Sequence, residues 1–567
     1  MSANIVPLEL VKTSDPLLDL NNTRKYAVLK GGSDVTYKTF VSTSYSDASL
    51  NFSCPPPSPA ICVSRKVQLE CTVRFVFSGS GAGLGNILQT GYDGPRAYPL
   101  SSVMNVLNMT LNNTSVSVNM ADVLSGVMRY NNCLDNKRRN LSLTPTYQDQ
   151  SQSYADLVGS NRNPLAAYFD SLDDGAEPRG GFRCNVVSNT PTAAVVDYIF
   201  TEPIMVSPFY FGKEEKSAFI GLQNMDLNIT WLNNLSRMWS RATNHPQNLT
   251  SLTASFVAPP KLFFKYLTPP ANMLIPNEIS YPYSVVDRFM TEVGSIASTA
   301  VQTVSSNNIQ FQGVPDHIYV YARRRNSDLN FNSTDTFLSI RRVSVNFNNR
   351  SGLLASCSQQ DLYQVSKKNG CNMSWSQWSG KAVTNAFGVL GTVGSVLKLR
   401  PGLDLPLSPL QAPSSLETLQ FQIDCELENV NQSEAINVVL VVVPVYSGTF
   451  SIVNQRSITQ TNILTKSDVL DADNKAQLNY NEFLHQAEGS GDFMADLSDV
   501  LSNPWDKLIK PGISALAPLV PKLLGMGEME QMKEEMKAGR KGGAKSGGEL
   551  IGGKLMSKAE LKRKLNM

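Results

Sequence analysis

The sequence has little of the chemistry that enzymes use. Only 3 of its 567 residues are histidines, and charged residues make up 17% of the chain, against about 25% in an average soluble domain. Basic and acidic residues number 50 and 48, so the net charge of +2 gives no overall attraction to nucleic acid. Histidine is the commonest acid–base and metal-ligand side chain. We therefore expect a protein that is not an enzyme, with no cofactor and no small-molecule substrate.

Two further absences concern membranes and disulfides. No segment reaches the roughly 18 consecutive apolar residues that a membrane span needs, and the first residues lack both the basic start and the apolar stretch of a secretory signal. The cysteines show no CxxC spacing and are too dilute for a disulfide framework, so we expect reduced, mostly buried thiols and synthesis inside a cell. Asn-x-Ser/Thr triplets, such as those that begin at Asn108 and Asn228, are then predicted to carry no glycan. The eight cysteines are Cys54, Cys62, Cys71, Cys133, Cys184, Cys357, Cys371 and Cys425.

What the sequence does have is strand signals, from about residue 60 to residue 455. Residues 67–75 and 419–427 alternate apolar and polar side chains without a break, which is typical of a strand with one face in a core. Residues 438–443 are continuously apolar, which indicates a strand covered on both faces. Residues 121–130 and 235–240 predict only short helices between strands. Further predicted strands are 103–111, 185–196, 226–232, 318–321 and 344–347.

This pattern predicts an all-β protein. Many strands without alternating helices exclude parallel α/β folds and favour antiparallel sandwiches. About 400 residues of such chain are too many for one sandwich, and the prolines between Pro259 and Pro270 suggest a joint. The predicted domains are an N-terminal arm (1–56), a first sandwich (57–260), a second sandwich (261–460) and a C-terminal tail (461–567).

The predicted tail has two parts. Between residues 493 and 509, apolar side chains fall near helical spacing and predict a short amphipathic segment that prolines soon interrupt. From Met536 onward the chain holds nine Lys/Arg against two Glu among glycines and serines, a composition typical of a flexible segment with access to nucleic acid.

One short motif lies in this basic end. Leu550, Ile551, Gly552 and Gly553 precede Lys554. Glycines let an extended backbone lie flat in a narrow protease channel, and an aliphatic side chain two positions before them can anchor it. Cleavage is easiest in an unstructured tail, so the motif predicts a proteolytic site.

Other motifs favour structural interpretations. The glycines of residues 79–85 do not match the GxGxxG spacing, and no βαβ unit follows them, so a loop between strands is expected. Asp471, Asp473 and Glu482 have calcium-loop spacing, but Lys475 and Ala476 stand where a ligand and the turn glycine belong. The basic clusters at 137–139, 323–325 and 341–342 are expected to be solvated or to pair with acidic residues of a neighbouring subunit.

The chain resembles the double jelly-roll major capsid proteins of virophages and polinton-like viruses, which are small double-stranded DNA viruses. The resemblance covers most of residues 1–450 and rests on the order and spacing of several phrases. These are Lys30-Gly31-Gly32 through Tyr37, Cys54-Pro55-Pro56-Pro57, Pro95-Arg96-Ala97-Tyr98-Pro99-Leu100, Asn234-Leu235-Ser236-Arg237-Met238-Trp239-Ser240 and Tyr281-Pro282-Tyr283.

The resemblance implies two tandem eight-stranded antiparallel jelly rolls, homotrimers that form pseudo-hexagonal capsomers, and an icosahedral shell around the genome. It also implies contacts with neighbouring capsomers and with minor capsid and penton proteins, a place in the virion, and synthesis in a cytoplasmic viral factory. Related viruses encode a cysteine protease that cuts after Gly-Gly or Ala-Gly, so maturation cleavage after Gly553 is expected, with residues 536–539 as a looser second candidate. The basic end is expected to reach genome DNA.

Two alternatives remain at this level. The first is an RNA-virus capsid protein with a single jelly roll, a projecting β-domain and a membrane-active C-terminal peptide, for which residues 505–524 have a compatible pattern. Two sandwiches of the same topology would favour the double jelly roll instead. The second is a nonviral carbohydrate-binding β-sandwich with Trp375 and Trp378 as a platform, which the missing export signal argues against.

Overall fold

The computed structural model describes residues 34–89, 92–130, 148–154, 183–209, 218–269, 278–384, 388–431, 434–469, 548–551 and 554–557. The chain divides into two compact units, Met1–Lys507 and Leu508–Met567. The described part of the first unit consists of two antiparallel β-sandwiches. The second unit contributes a hairpin of β28 (Gly548–Ile551) and β29 (Lys554–Ser557). The predicted apolar stripe and the calcium-like spacing lie outside the described residues.

The first sandwich packs a seven-stranded sheet against a five-stranded sheet. Its strands are, in chain order, β1 (Asp34–Val41), β2 (Ser44–Tyr45), β3 (Ser49–Ser53), β4 (Cys62–Val63), β5 (Gln68–Gly79), β6 (Asp93–Pro95), β7 (Met104–Leu111), β8 (Thr114–Val118), β9 (Arg183–Asn189), β10 (Ala193–Pro203), β11 (Met225–Trp231), β12 (Trp239–Arg241), β13 (Leu249–Phe256) and β14 (Lys261–Thr268). The larger sheet has the order β1-β14-β5-β10-β9, with β13 also paired to β5 and β4 to β14. The smaller has the order β2-β3-β11-β7-β8, and β6 pairs with β12.

The second sandwich has a six-stranded and a five-stranded sheet. Its strands are β15 (Glu278–Val286), β16 (Phe289–Ile296), β17 (Val301–Ser305), β18 (Ile309–Gln312), β19 (His317–Arg324), β20 (Ser339–Phe347), β21 (Arg350–Leu353), β22 (Lys381–Thr384), β23 (Gly388–Gly391), β24 (Leu397–Leu399), β25 (Thr418–Glu428), β26 (Ile436–Val453) and β27 (Arg456–Thr461). The larger sheet has the order β15-β26-β19-β24, with β16 and β27 on β26. The smaller has the order β17-β25-β20-β21, with β18 on β25, and β22 pairs with β23.

Helices are short and lie between strands. Between the described strands lie the α-helices α1 (Met120–Val127), α2 (Gln359–Lys368) and α3 (Trp375–Trp378) and the 3-10 helices Ser101–Val103, Met128–Tyr130, Leu235–Met238 and Asn326–Asp328. Capping boxes begin α2 at Ser358 and α3 at Ser374. In each box the serine hydroxyl accepts from the backbone N–H of the third helical residue, and the side chain of that residue accepts from the backbone N–H of the serine. No helix among the described residues is long and apolar enough to span a membrane.

The alternating segments form the strands that the sequence predicts. Along β5 and β25 every second side chain is buried, and residues 438–443 of β26 are buried on both faces. The predicted single strand at 185–196 is wrong, because it is two strands, β9 and β10, whose turn contains Thr190 and Pro191. The Thr190 N–H donates to the Ala193 oxygen at 2.8 Å, and this bond closes the turn between the two strands.

The sheets also change the predicted domain boundaries. Residues 34–53 form β1, β2 and β3, and β1 pairs with β14 over all eight residues, so they belong to the first sandwich and not to an arm. Residues 261–268 are β14, a strand of that same sheet, so the joint follows Thr268 and not residue 260. The sheets among the described residues hold more than the predicted eight strands per sandwich, because a long strand pairs with two shorter ones end to end, as β5 does with β13 and β14 and β26 with β15 and β16.

Candidate functional site

The residues that join the two sandwiches form the most developed polar site of the described chain, and we call it the seam. It begins with α1 of the first sandwich, whose Asp122 is buried. Its carboxylate accepts from Arg323 Nη2 at 2.6 Å and Asn326 Nδ2 at 2.7 Å, and it lies 2.6 Å from Arg288 Nε in an ion pair. All three partners come from the second sandwich. One helix carboxylate thus pairs with two arginines across the seam.

Aromatic rings fit against the same helix. Tyr321 of β19 donates its hydroxyl to the backbone oxygen of Asp122 at 2.6 Å. Gly126, one turn later, leaves room for this ring, because a Cβ there would lie 2.5 Å from a Tyr321 ring carbon. Tyr130 follows α1 and donates to the backbone oxygen of Val396 at 2.6 Å, with its ring 5.3 Å from that of Tyr319. The helix therefore fixes the second sandwich by both packing and hydrogen bonds.

A second cluster in the seam contains four charges, of which Arg96, Arg237 and Asp149 are buried and Asp335 is 16% exposed. Arg96 Nη1 lies 3.0 Å from Asp335 and 3.7 Å from Asp149, and Arg237 Nη2 donates to Asp335 at 2.8 Å. Burial opposes ionisation of Asp335, but Arg96 and Arg237 outweigh it and hold its pKa below the ordinary value. Burial raises the pKa of Asp149, which Tyr154 also contacts. Buried charges need such partners, since an unpaired one would destabilise the fold strongly.

Backbone and ring contacts extend the seam along the sandwiches. Tyr281 of β15 accepts from the Ile220 N–H at 3.2 Å and donates to the Ala218 oxygen at 3.0 Å, and its ring lies 5.1 Å from that of Phe219. The Ser284 N–H donates to Ser207 Oγ at 2.9 Å. The two sandwiches accordingly form one continuous hydrophobic core. A shared core of this kind suits a structural role.

The predicted proteolytic site lies in the second compact unit. Leu550 and Ile551 are the last residues of β28, and Lys554 is the first residue of β29. Leu550 pairs with Leu555 and Ile551 with Lys554. Gly552 and Gly553 lie outside the described residues. The structure thus places the aliphatic residues and the lysine in strands on either side of the two glycines.

The described basic clusters pair with carboxylates of their own chain. Arg323 contacts Asp122 in the seam, and Arg324 forms an ion pair with Glu434. Arg341 Nε lies 2.6 Å from Glu428, which Lys381 also contacts. The expected pairing with acidic residues is therefore intramolecular at these positions. The cluster at 137–139 lies outside the described residues.

The glycine loop after β5 has a packing role. Gln247 accepts from the Gly83 N–H at 3.0 Å and donates to the oxygens of Gly83 and Gly85 at 2.7 and 2.6 Å. A Cβ on Gly83 would lie 1.7 Å from the oxygen of Pro246, so only glycine fits there. Nearby, buried His245 lies 2.9 Å from Asp93, which also pairs with Arg241 at 2.7 Å. This cluster is internal, and the described residues hold no group of side chains suited to a metal ion.

Two groups that the sequence left open also have structural partners. Three asparagines face one another on neighbouring strands: Asn51 on β3, Asn228 on β11 and Asn108 on β7. Each is the first residue of an Asn-x-Ser/Thr triplet. Asn228 Nδ2 donates to Asn51, and Asn51 Nδ2 donates to Ser44 at 2.9 Å, so amide groups form a ladder across the sheet. Trp378 is fully buried and donates to the Val396 oxygen at 3.0 Å, so it is a core residue and not half of a surface platform.

Sequence reasoning missed the seam because its partners are far apart in the chain. Asp122 and Arg323 are separated by 201 positions and Arg96 and Ser333 by 237. Asp122, Arg323 and Arg96 each look like an ordinary surface charge in the sequence. The one available signal was the clustering of arginines at 323–325, whose partners could not be named.

Comparisons with known proteins cover both sandwiches. The model of the Sputnik virophage major capsid protein 1st domain matches residues 8–267, and that of the major capsid protein V20 C-terminal domain matches residues 286–448. The putative capsid protein V20 of Sputnik virophage is 32% identical over the full length of both chains. These relatives are structural capsid proteins and not enzymes.

Solved structures agree with this result. A chain in the cryo-EM structure of the Sputnik virophage is 31% identical, with a TM-score of 0.74 over 86% of this chain and 99% of that chain. The mavirus major capsid protein is 14% identical and shares the fold, with a TM-score of 0.68 over 84% of this chain and 99% of that chain. The predicted all-β fold with two tandem jelly rolls is thereby confirmed.

Proposed function

This chain belongs to the family of virophage major capsid proteins, and from that premise we propose that three copies assemble into a pseudo-hexagonal capsomer. Capsomers of this kind then tile the icosahedral shell of the virion, where the protein has its place. The observation that carries the trimer is the seam, because its buried ion pairs around Asp122 and Asp335 hold two sandwiches as one rigid block. Three such blocks related by threefold symmetry place six sandwiches around one axis, which gives the capsomer a nearly hexagonal outline.

The test is the size and outline of the full chain in solution. We expect mass photometry to give three times the chain mass of 62.1 kDa, and negative-stain electron microscopy to show particles with a hexagonal outline. Monomers that persist as the protein concentration is raised would overturn the proposal. The single jelly-roll alternative is disfavoured, because models of the first and C-terminal domains of virophage major capsid proteins match the first and the second sandwich.

Maturation cleavage after Gly553 is a second, separate part of the proposed function. Its support is the sequence from Leu550 to Lys554 and the position of the two glycines between short paired strands. An isolated two-stranded hairpin is marginal in water, so a viral cysteine protease could open it and bind the segment extended. Intact-mass analysis of chains from purified virions should show an end at Gly553. Chains that all end at Met567 would contradict cleavage.

The basic end is proposed to contact genome DNA. Cleavage after Gly553 would remove five of its nine basic residues, so it would also weaken this contact. We expect the full chain to bind DNA with a steeper salt dependence than a chain ending at Gly553, because each phosphate contact releases counterions. Equal salt slopes for the two chains would contradict this role. Contacts with minor capsid and penton proteins and synthesis in a cytoplasmic factory remain proposals of the same kind.

A further inference from the structure

The two sandwiches repeat one arrangement of strands. In both, an α-helix follows the edge strand of the small sheet, α1 after β8 and α2 after β21. Every element that the first sandwich contributes to the seam therefore has a counterpart in the second sandwich. Listed in the same order and without β2 and β9, the large sheets are β1-β14-β5-β10 and β15-β26-β19-β24, and the small sheets are β3-β11-β7-β8 and β17-β25-β20-β21.

The seam shows which face of the second sandwich the first one covers. Tyr321 and Arg323 of β19 both bind Asp122 of α1. Phe289 of β16 faces the core instead, because its ring lies 6.1 Å from that of Phe311 in the small sheet. Phe289 and Tyr321 pair with adjacent residues of β26, so they lie on opposite faces. The first sandwich therefore covers the outer face of the large sheet of the second.

Residues between β10 and β11 add two contacts to the same large sheet. Ser207 accepts from the N–H of Ser284 at 2.9 Å, in β15, the first strand of the second sandwich. Gln223, two positions before β11, donates to Gln455, which lies in the turn after β26. This connecting segment thus reaches the first strand and the end of the last long strand.

The corresponding face of the first sandwich is exposed and apolar. In β1, the counterpart of β15, Phe40 faces the core with its ring 5.5 Å from that of buried Phe264. Val35, Tyr37 and Val41 lie on the outer face, because side chains alternate along a strand. Tyr37 is 77% exposed, and Val35 and Val41 are 47% and 52% exposed. Nothing in the described part of the chain covers this row as the first sandwich covers β15.

The counterpart of the connecting segment is exposed and apolar as well. It joins β24 to β25 over residues 400–417. Leu416 lies two positions before β25, as Gln223 does before β11, and it is 72% exposed. Leu410 is 36% exposed. Exposed apolar groups of this kind mark interaction sites.

We propose that residues 400–417 of one copy cover the outer face of β1 in the next copy, and this contact rests on the trimer proposed above. Six sandwiches around one axis alternate between first and second, so each seam is followed by a contact from a second sandwich to the next first sandwich. That contact repeats the geometry of the seam. Leu416 then lies at the end of β14, where Val35 pairs with Leu267.

The occupant is a second copy of this chain. Its second sandwich carries the counterpart of the segment that fills the same position in the seam, and both surfaces are apolar and exposed in the single chain. The contact is head-to-tail, with different surfaces of the two copies, and such contacts close into a ring when the rotation allows it.

Photo-cross-linking from β1 tests the contact without assuming a register. Tyr37→p-benzoylphenylalanine keeps an aromatic ring at the exposed position and links to nearby C–H bonds on irradiation. We expect covalent dimers and trimers on denaturing gels, with the linked residues within 400–417 by mass spectrometry. In trimers assembled from a mixture of isotope-labelled and unlabelled chains, linked peptides should carry both labels, because the link joins two copies.

Val301 provides the matched control. It is 45% exposed on β17, at the edge of the small sheet that lies opposite β21. This edge belongs to neither the seam nor the proposed contact. Val301→p-benzoylphenylalanine should therefore give no link to residues 400–417 of another copy.

A charge in either surface should weaken assembly. Val35→Lys and Leu416→Lys should each raise the concentration for half-assembly about tenfold or more, because an unpaired charge is costly to bury. Val301→Lys, a change of an equally exposed valine, should leave it unchanged. Circular dichroism checks that each variant is folded.

The outcomes separate this contact from the trimer itself. Trimers of normal mass whose links from Tyr37 map outside residues 400–417 would overturn the contact while the proposed function stands. Assembly of folded Val35→Lys at the wild-type concentration would do the same. A wild-type chain that stays monomeric would instead defeat the trimer and the contact together, so the two failures are distinguishable.

Discussion

At the residue scale, the seam depends on single buried carboxylates that serve several partners. Asp122 is the clearest case, because two arginines and an asparagine bind it. Asp122→Ala removes the carboxylate partner of buried Arg323 and of Arg288, whose side chain is 25% exposed. Loss of one partner of a buried ion pair typically destabilises by about 3–5 kcal/mol. We expect a loss of this size in the free energy of unfolding measured with denaturant.

Asp197 provides the matched control for that measurement. It pairs with Arg74 at 2.7 Å, but the Arg74 side chain is 41% exposed. Solvent screens such pairs, so Asp197→Ala should cost about 1 kcal/mol or less. Equal losses in the two variants would mean that the seam contributes no more than a surface ion pair.

Glu202 gives the chain a pH-dependent stability. It is fully buried at the end of β10, and burial raises its pKa to about 7, although it accepts from the N–H groups of Leu100 and Ser101 and from the Ser101 hydroxyl. The folded pKa exceeds the ordinary value of 4.5, so folding favours the protonated carboxyl. Its contribution to the free energy of unfolding is complete below about pH 4.5 and is lost as pH rises through about 7.

The comparison with Glu202→Gln isolates this effect, because glutamine does not ionise. The melting temperature of the variant minus that of the wild type should increase between pH 5 and pH 8, by the equivalent of about 3 kcal/mol at full ionisation. Thermal unfolding at several pH values measures it. A difference that is the same at pH 5 and pH 8 would contradict the assignment to Glu202.

At the scale of elements, α1 is shaped by the strand that it contacts. Alanine is the better helix former by about 1 kcal/mol, yet Gly126→Ala would place its Cβ 2.5 Å from the Tyr321 ring. We expect the clash to dominate and to lower the melting temperature, measured by calorimetry. Ser125→Ala, at the half-buried neighbouring position, should be neutral or slightly stabilising. A stabilised Gly126→Ala variant would show that the helix does not pack closely on β19.

The elements also show how far the sequence predicts this structure. The period-two patterns of β5 and β25 are local properties of the chain, so those strands were predicted. The role of β1 was not, because its partner β14 lies more than 200 residues later and nothing in either segment names the other. Helix α2 was missed as well, since its side chains are mostly polar and only Leu362 and Ser366 are buried.

The distance between partners along the chain also decides which candidate site the sequence could predict. The motif from Leu550 to Lys554 is contiguous and could be found by inspection. The seam combines Asp122, Arg288 and Arg323 from separate elements, so only the folded chain brings them together. Burial, which decides the energetic weight of these charges, depends on residues that a local pattern does not contain.

At the scale of the whole molecule, the seam predicts one unfolding event for the two sandwiches. Their shared core and buried ion pairs mean that either sandwich exposes charged and apolar groups when the other unfolds. Calorimetry of the full chain should therefore show a single main transition with equal calorimetric and van't Hoff enthalpies. Two well-separated transitions would show that the sandwiches are independent.

The internal charges at Asp122 and Asp335 have a consequence for a particle that leaves its host. Mobile ions weaken attraction between groups at a wet surface, whereas groups enclosed by protein feel them little. The paired sandwiches should hold together equally well in the concentrated electrolyte of a cell and in dilute water outside it. Passage between the two environments would then leave each building block of the shell unaltered.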